Sequence, residues 1–186
     1  MNASTQNVFL IGPMGSGKTT IGRQLAKILD LEFFDCDQEL ERLTGASVNL
    51  IFDVEGEAGF RTRETRVLDT LTAKKGVLVA TGGGVVCSEK NRQMLRSRGL
   101  VVYLKTSIKK QLRRLDQDKS RPLLQAEDRQ QRLLDLAQVR NPLYDLTADL
   151  VFRTRNSSVR ASAKMLSSAV VKTVETLKLE APHADS

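Results

Sequence analysis

The sequence has 186 residues but no tryptophan, only one histidine and only two cysteines. Two cysteines are too few for a disulfide framework, so we expect Cys36 and Cys87 to fill small buried gaps in a protein from a reducing compartment. The single histidine, His183, lies in a polar C-terminal segment, where we expect no catalytic role. These shortages argue against a disulfide-stapled domain and against histidine-based catalysis.

Long apolar runs are also missing from the sequence. No stretch approaches the roughly 18 apolar residues that span a membrane, and residues 1–7 lack the basic region of a secretory signal. Hydrophobic residues make up 40% of the chain and charged residues 27%, an ordinary composition for a globular protein. We therefore expect one cytoplasmic domain over 1–186, with a flexible tail at 180–186.

A phosphate-binding motif lies near the start of the chain, where the stretch Gly12–Thr19 fits the P-loop pattern G-x-x-x-x-G-K-[ST]. The apolar stretch before it, 8–11, predicts a buried strand, and apolar residues at helical spacing follow it. Glycines let backbone N–H groups approach phosphate closely, and a helix N-terminus adds further donors, so a chance glycine-rich turn is disfavoured. Lys18 can reach the β- and γ-phosphates of ATP, and the Thr19 hydroxyl can bind Mg²⁺. The predicted ATP-binding residues here are Gly12, Met14, Gly15, Ser16, Gly17, Lys18, Thr19 and Thr20.

Positive charge is in excess and unevenly spread. The formal net charge is +7, and the segment 90–121 contains eleven Lys or Arg against two acidic residues. One interpretation is a nucleic-acid-binding patch, but aromatic residues make up only 4% of the chain, too few for a base-stacking surface. We interpret the charge as a field that attracts ATP and a second anionic substrate.

Short apolar segments alternate with helical patterns along the chain. Continuous apolar strands between helices indicate a parallel sheet that is covered on both faces, so we predict a three-layer α/β/α P-loop fold with a five-stranded parallel sheet. Ligands of such sheets bind beyond the carboxyl ends of the strands. The predicted strands are 8–11, 31–34, 77–80, 100–104 and 150–152, and a closing helix is predicted over 159–179.

Two carboxylates, Asp35 and Asp37, follow the second predicted strand. Residues two apart on an extended chain point to the same side. Strand-end carboxylates beside a P-loop can hold Mg²⁺ through water, or orient and deprotonate an acceptor hydroxyl. The structural alternative is that Asp37 caps a helix over 38–44, a role that is compatible with the functional one.

Arg61 and Glu64 are three residues apart in a helical pattern and can pair on one face of the helix. An exposed pair contributes little to stability, whereas a buried pair presents a fixed guanidinium fork to a carboxylate. The residues alone leave both options open.

Three consecutive glycines, Gly82, Gly83 and Gly84, follow Thr81 at the end of the third predicted strand. Ordering three glycines costs backbone entropy, so a structural demand is expected. We favour close approach of this backbone to a ligand over the alternative of a flexible turn.

Two further arginines, Arg121 and Arg140, are candidates for binding an anionic ligand. Arg121 lies in a polar loop typical of a mobile lid. Pro142 disfavours helical geometry just before it, so we predict that a helix ends near Arg140. An arginine at a helix C-terminus can simply complement the helix dipole, and this alternative stays open.

The motifs together resemble those of the shikimate kinases, which are relatives of the nucleoside monophosphate kinases. Members of that family convert ATP and shikimate to shikimate 3-phosphate and ADP, a step towards chorismate and the aromatic amino acids. The resemblance implies a substrate-binding helical insertion at about 36–64 and a mobile lid at about 115–127. The motifs that carry it, in order, are Gly12–Thr19, Asp35–Asp37, Phe60–Glu64, Thr81–Gly84, Arg121–Leu124 and Arg140–Tyr144.

The resemblance implies an acceptor site for shikimate. By its position in the motifs, Asp37 hydrogen-bonds the shikimate hydroxyls and acts as the base. Arg61 and Arg140 are expected to bind the shikimate carboxylate. Gly82 and Gly83 are expected to help hold the ring.

The resemblance also assigns roles at the nucleotide. Arg121 is expected to meet the transferring phosphate when the lid closes, and Arg114 to stack on the adenine. Asp35 is expected to hold Mg²⁺ through water beside Thr19. A monomer is implied, with no nucleic-acid or membrane partner. The candidate catalytic residues are Lys18, Asp37 and Arg121.

Two other functions are compatible with the P-loop. A kinase of the same fold could act on gluconate or on a nucleoside monophosphate, although the arginine pair and the triple glycine favour shikimate. More remotely, the chain could be a non-catalytic nucleotide-binding module, for which only the basic segment argues.

Overall fold

The computed structural model describes residues 6–115, 128–154 and 157–180. The strands are β1 (Val8–Ile11), β2 (Glu32–Asp35), β3 (Val77–Ala80), β4 (Leu100–Lys105) and β5 (Leu150–Arg153). The helices are α1 (Lys18–Leu29), α2 (Cys36–Thr44), α3 (Val48–Thr72), α4 (Glu89–Arg98), α5 (Ile108–Leu115), α6 (Arg129–Thr147) and α7 (Val159–Glu180). A short 3₁₀ helix covers Val85–Cys87.

The strands form one parallel sheet in the order β2-β3-β1-β4-β5. Central β1 pairs with both neighbours, Phe9 lying beside Val79 of β3 and Val101 of β4, so the carboxyl ends of these strands meet at one edge. The predicted five-stranded parallel sheet is confirmed, and β1 and β3 have their predicted bounds. Strand β2 extends to Asp35 because its ladder with β3 includes the Asp35–Ala80 pair.

Both faces of the sheet are covered by helices. Successive residues of β1 alternate between two hydrophobic clusters, Phe9 and Ile11 in one and Val8 and Leu10 in the other. The first cluster includes residues of α2, α3, α4 and α6, and the second includes residues of α1 and α7. The predicted three-layer arrangement is therefore confirmed, and all of β1 is buried between the outer layers.

Helix α6 passes through Pro142 and ends at Thr147, so the prediction that it ends near Arg140 is wrong. Proline removes one backbone N–H group, but the following turns have other support. Tyr144 is buried in the core, and the Thr147 hydroxyl donates to the Leu143 carbonyl at 2.6 Å. Packing outweighs the local preference, and Arg140 lies inside the helix rather than at its dipole-bearing end.

Helix α3 bends sharply at Gly56, where φ is 69° and ψ is −177°. This conformation is nearly exclusive to glycine. The bend separates the first turns of α3 from the part that carries Arg61 and Glu64. The Arg63 guanidinium closes over the bend with two hydrogen bonds to Glu55, at 2.7 and 2.6 Å.

The two cysteines differ in their surroundings. Cys36 is buried, as predicted, but Cys87 is exposed, so the prediction that both fill buried gaps is wrong for Cys87. The 3₁₀ helix packs inward through Val85 and Val86, which leaves its last residue at the surface.

Some expectations concern residues outside the structural description. The proposed lid at 115–127 with Arg121 lies outside it except for Leu115, and so does the tail after residue 180. Within the three described ranges, no helix combines the length and apolar character needed to cross a membrane.

Candidate active site

The P-loop turn connects β1 to α1 at the carboxyl edge of the sheet. Gly12, Gly15 and Gly17 all have positive φ, at 142°, 73° and 96°. A Cβ on Gly12 would lie 2.7 Å from the Leu104 carbonyl oxygen, so both conformation and space require glycine there. The turn therefore brings backbone next to the end of β4 and leads directly into the N-terminus of α1, an arrangement suited to anions.

Lys18, the first residue of α1, folds back over this turn. Its Nζ donates to the carbonyl oxygens of Gly12 at 2.7 Å and Pro13 at 2.9 Å. The Ser16 hydroxyl oxygen is buried and has no hydrogen-bond partner among the described residues. A buried, unsatisfied hydroxyl is costly, so the P-loop has polar capacity left for an oxygen-rich ligand.

Thr19 and Asp35 lie together beside the P-loop. The Thr19 hydroxyl donates to Asp35 Oδ2 at 2.6 Å. A hydroxyl and a carboxylate next to a phosphate site fit Mg²⁺, which prefers oxygen ligands and keeps several waters while binding substrate phosphates. These two residues could hold Mg²⁺, Thr19 directly and Asp35 through water.

Asp35 is also the N-cap of α2. Its Oδ1 accepts hydrogen bonds from the backbone N–H groups of Asp37 at 3.0 Å and Gln38 at 3.3 Å. The alternative that Asp37 caps a helix over 38–44 is therefore wrong, because α2 begins at Cys36 and Asp35 caps it. Asp37 lies in the first helical turn, where the helix dipole favours a carboxylate.

Arg61 and Glu64 form a pair on α3 in which the carboxylate is buried and the Arg61 side chain is 26% exposed. Arg61 Nη1 donates to Glu64 Oε2 at 2.8 Å, and the Glu64 side chain is only 2% exposed, so the exposed-pair alternative is wrong. Glu57 adds a second carboxylate, which accepts from Arg61 Nη2 at 3.2 Å. Burial raises the pKa of Glu64 above its usual value, and Arg61 offsets only part of that effect. The other carboxylate oxygen, Oε1, is buried without a partner among the described residues.

The glycine turn after β3 packs closely against this pair. A Cβ on Gly82 would overlap Glu64 Oε1 and would lie 3.4 Å from Asp37 Oδ1. A Cβ on Gly84 would overlap the Arg61 guanidinium. Gly82 and Gly84 therefore leave the space that the Glu64 and Arg61 side chains occupy, and the flexible-turn alternative does not account for this packing.

Arg140 reaches the same turn from α6. A Cβ on Gly83 would lie 3.7 Å from Arg140 Nη1, 3.6 Å from the Gly12 carbonyl oxygen and 3.5 Å from the Met14 nitrogen. The structure thus brings Arg61, Arg140 and Asp37 to one glycine turn that also contacts the P-loop. A carboxylate-bearing acceptor bound there would be next to a nucleotide phosphate.

Arg114 lies on the other side of the P-loop. Its Nη1 donates to the Gly15 carbonyl oxygen at 2.7 Å. Burial and the neighbouring Arg113 lower the pKa of Arg114. Thr20 is exposed, and its hydroxyl donates to the Gly17 carbonyl oxygen at 3.3 Å, so its side chain faces away from the buried part of the site.

Two residues of the site received no role from the sequence, although Tyr144 ends one of the motifs named above. Glu57 holds Arg61 from the preceding turn, and Tyr144 donates its hydroxyl to the Gly83 carbonyl. Helical spacing was the available signal, because Glu57 and Arg61, and Arg140 and Tyr144, are each four residues apart.

Comparisons with known proteins agree with this geometry. A family model described as shikimate kinase matches residues 14–173. The shikimate kinase of Histophilus somni (strain 2336) is 50% identical over 178 residues, which are 95% of this chain and 99% of that protein. The shikimate kinase of Alteromonas mediterranea is 54% identical over 168 residues, 90% of this chain and 98% of that protein.

A solved structure is similar over the same length. The shikimate kinase from Acinetobacter baumannii in complex with shikimate has a TM-score of 0.88 and 47% sequence identity, with 91% of this chain and 95% of that chain covered. Family model, relatives and fold agree over nearly the whole chain, and the protein belongs to the shikimate kinase family.

Proposed function

We propose that the protein transfers the γ-phosphoryl group of ATP to the 3-hydroxyl of shikimate, giving shikimate 3-phosphate and ADP. The observation that carries the proposal is the pair of Arg61 with the buried Glu64 carboxylate, which lies with Arg140 and Asp37 at the glycine turn beside the P-loop. Membership of the shikimate kinase family supports it. A relative with 47% identity has been solved with shikimate bound.

The P-loop would bind the phosphates of ATP. Its N–H groups and the α1 N-terminus favour anions, and Lys18 would exchange its bonds to the turn carbonyls for bonds to the β- and γ-phosphates. Arg114, which donates a hydrogen bond to the Gly15 carbonyl oxygen, would stack on the adenine. Bound Mg²⁺, with Thr19 and Asp35 as its protein partners, would neutralise negative charge on the phosphates.

Arg61 and Arg140 would bind the carboxylate of the acceptor. Guanidinium groups match planar carboxylates with paired hydrogen bonds, and Glu64 and Glu57 hold the Arg61 side chain before substrate arrives. Fixing one end of a small ring in this way presents a chosen hydroxyl to the phosphate.

Asp37 would orient the 3-hydroxyl and accept its proton. The hydroxyl oxygen forms a bond to the γ-phosphorus, the bond from that phosphorus to the β–γ bridging oxygen breaks, and ADP leaves. Arg121 is proposed to stabilise charge on the transferring group from the lid; it lies outside the described residues and stays a prediction. The roles of Gly82 and Gly83 towards the ring also stay predictions.

The setting of the enzyme is part of the proposal. We propose a monomeric, cytoplasmic protein that acts on small molecules rather than on nucleic acid or membranes. An exposed free thiol at Cys87 is compatible with a reducing compartment.

The test is ADP release from ATP and Mg²⁺ with shikimate, gluconate, AMP or no acceptor. The proposal predicts strong stimulation by shikimate alone. Stimulation by gluconate or AMP instead would reassign the acceptor, and no stimulation by any acceptor would favour a nucleotide-binding module.

A further inference from the structure

Tyr144 connects helix α6 to the glycine turn. Its side chain is 1% exposed, and its hydroxyl donates to the Gly83 carbonyl oxygen. It lies one helical turn after Arg140 and therefore on the same face of α6. One face of this helix thus supplies a cation to the site and a hydrogen bond to the backbone beside it.

Gly83 occupies the place where the two halves of the site meet. A Cβ on it would be 3.5 Å from the Met14 nitrogen of the P-loop and 3.7 Å from Arg140 Nη1. A peptide flanked by glycines has more accessible conformations than any other. The Val85 N–H closes the turn on the Gly82 carbonyl oxygen at 3.3 Å, and the Tyr144 hydroxyl adds a hydrogen bond to the Gly83 carbonyl from outside the turn.

The ring of Tyr144 is itself held in place. It packs on Tyr103 of β4 with ring centroids 4.9 Å apart and an interplanar angle of 30°. The Tyr103 hydroxyl donates to Asn141 Oδ1 at 3.3 Å, away from the glycine turn. The two tyrosines therefore share packing but only Tyr144 bonds the turn.

Fixing one carbonyl fixes the next N–H group as well. In a planar trans peptide the C=O and the following N–H point in opposite directions. With the Gly83 carbonyl turned to Tyr144, the Gly84 N–H is directed away from that hydroxyl. Burial raises the pKa of Tyr144 above its ordinary value, and the charge of Arg140 and its hydrogen bond to the Tyr144 hydroxyl offset only part of that effect. The hydroxyl therefore stays protonated and able to donate.

We infer that Tyr144 is a positioning residue for the acceptor: its hydroxyl holds the Gly83–Gly84 peptide in the orientation that receives shikimate next to Arg140. This inference rests on the proposed function. It assigns Tyr144 no contact with the reacting atoms, so its effect belongs to acceptor binding rather than to the chemical step.

The test compares Tyr144→Phe with Tyr103→Phe. Each variant removes one hydroxyl from the same ring pair and keeps both rings. Tyr144→Phe should raise KM for shikimate about threefold to tenfold, the effect of losing one buried hydrogen bond, while kcat and KM for ATP stay within about twofold. Tyr103→Phe should leave KM for shikimate unchanged.

A second measurement does not depend on turnover. Amide hydrogen exchange in the peptide covering 81–87 should become faster in Tyr144→Phe and stay unchanged in Tyr103→Phe, both without ligands.

The outcomes separate the inference from the proposed function. Wild-type KM for shikimate in Tyr144→Phe, with or without a lower melting temperature, would overturn the inference and leave the function standing. An equal rise in both variants would assign the effect to ring packing and would also overturn it. Failure of the wild-type protein to phosphorylate shikimate would remove the function, and the inference with it.

Discussion

Two aspartates that are nearly adjacent in sequence have different surroundings in the structure. Asp35 accepts from Thr19 and caps α2, whereas Asp37 follows in the first turn and faces Gly82. The two surroundings match the two roles proposed from the sequence, Mg²⁺ binding through water for Asp35 and orientation of the acceptor hydroxyl for Asp37. Asp35 lies beside Thr19 of α1, and Asp37 lies beside the glycine turn.

We expect Asp37→Asn to lower kcat by about 10²–10⁴-fold, the usual contribution of a general base. The amide keeps the shape of the side chain but cannot take the proton. Steady-state kinetics with shikimate, together with a melting curve, would check this. Asp35→Asn is the matched control: asparagine is also a good N-cap, so this variant should fold normally and mainly need more Mg²⁺. Near wild-type kcat in Asp37→Asn would remove its assigned role.

Arg61→Lys should raise KM for shikimate by roughly 10- to 100-fold, because lysine keeps the charge but loses the guanidinium fork. We expect a smaller effect on kcat. Arg63→Lys is the control, since Arg63 binds Glu55 on the outer side of the same helix. Equal effects of the two substitutions would mean that Arg61 acts through helix stability and not through the acceptor.

Residue patterns predicted some of these positions better than others. The P-loop and the Arg61–Glu64 pair were identifiable because spacing along a turn or a helix fixes which groups meet. The close packing at Gly84 was not, since it comes from the Arg61 guanidinium, which approaches from another element. Contacts between segments that are far apart in the chain depend on tertiary packing, which the pattern of neighbouring residues does not reveal.

Among the elements, α3 differs most from a regular helix. Its bend at Gly56 places a conformation with φ 69° and ψ −177° in an exposed position. Gly45, which caps α2, also has positive φ, at 67°, but with ψ at 10°. A Cβ on either glycine would meet nothing within 4 Å, so the two sites differ in backbone conformation alone.

Gly56→Ala should therefore lower the free energy of unfolding by about 1–3 kcal/mol, because alanine must leave this conformation or be strained in it. Gly45→Ala should cost less, about 1 kcal/mol, because the left-handed helical region is accessible to alanine at a moderate cost. Urea unfolding of both variants measures the difference. A larger loss in Gly45→Ala would contradict the bend described for α3.

The bounds of the strands and helices agree with the apolar runs and helix-breaking residues of the sequence, except where tertiary packing opposes them. The apolar runs predicted β1 and β3 correctly because both strands are buried on each side. Pro142 gave a local stop signal that α6 does not obey, since Tyr144 and Leu143 beyond it pack against the core. The sequence alone could not show that this packing stabilises the helix by more free energy than the proline costs.

At the scale of the whole molecule, Asn7 joins several elements below the sheet. Its Nδ2 donates to the carbonyl oxygens of Lys74 at 2.7 Å and of Thr72 and Arg98 at 3.4 Å each. Its Oδ1 accepts from the Val77 N–H at 3.2 Å. One buried side chain therefore connects the ends of α3 and α4 to the start of β3, at the edge opposite the active site.

Asn7→Ala should lower the free energy of unfolding by about 2–4 kcal/mol, because it leaves a buried N–H group and at least one carbonyl without partners. Activity at low temperature should be retained, since the site is at the other edge of the sheet. Gln131→Ala, which removes an exposed hydrogen bond to Asp135 on α6, should change stability by no more than about 0.5 kcal/mol. Similar stability of the two variants in urea would contradict the structural role of Asn7.

The fold class and the convergence of the strand-end turns were predictable because parallel sheets impose them. The glycine turn after β3 lies beside the P-loop and beside Arg61 and Arg140, and the proposed function requires the two substrates to meet there. The proposed function also requires that phosphate be delivered there to one hydroxyl of one acceptor.

Identification of the product tests this most directly. The enzyme would be incubated with ATP, Mg²⁺ and shikimate, ADP quantified, and the phosphorylated carbon assigned by ³¹P and ¹H NMR. We predict one shikimate 3-phosphate for each ADP. ADP formed without phosphorylated shikimate, or phosphate on a different hydroxyl, would contradict the proposed arrangement of Asp37, Arg61 and Arg140.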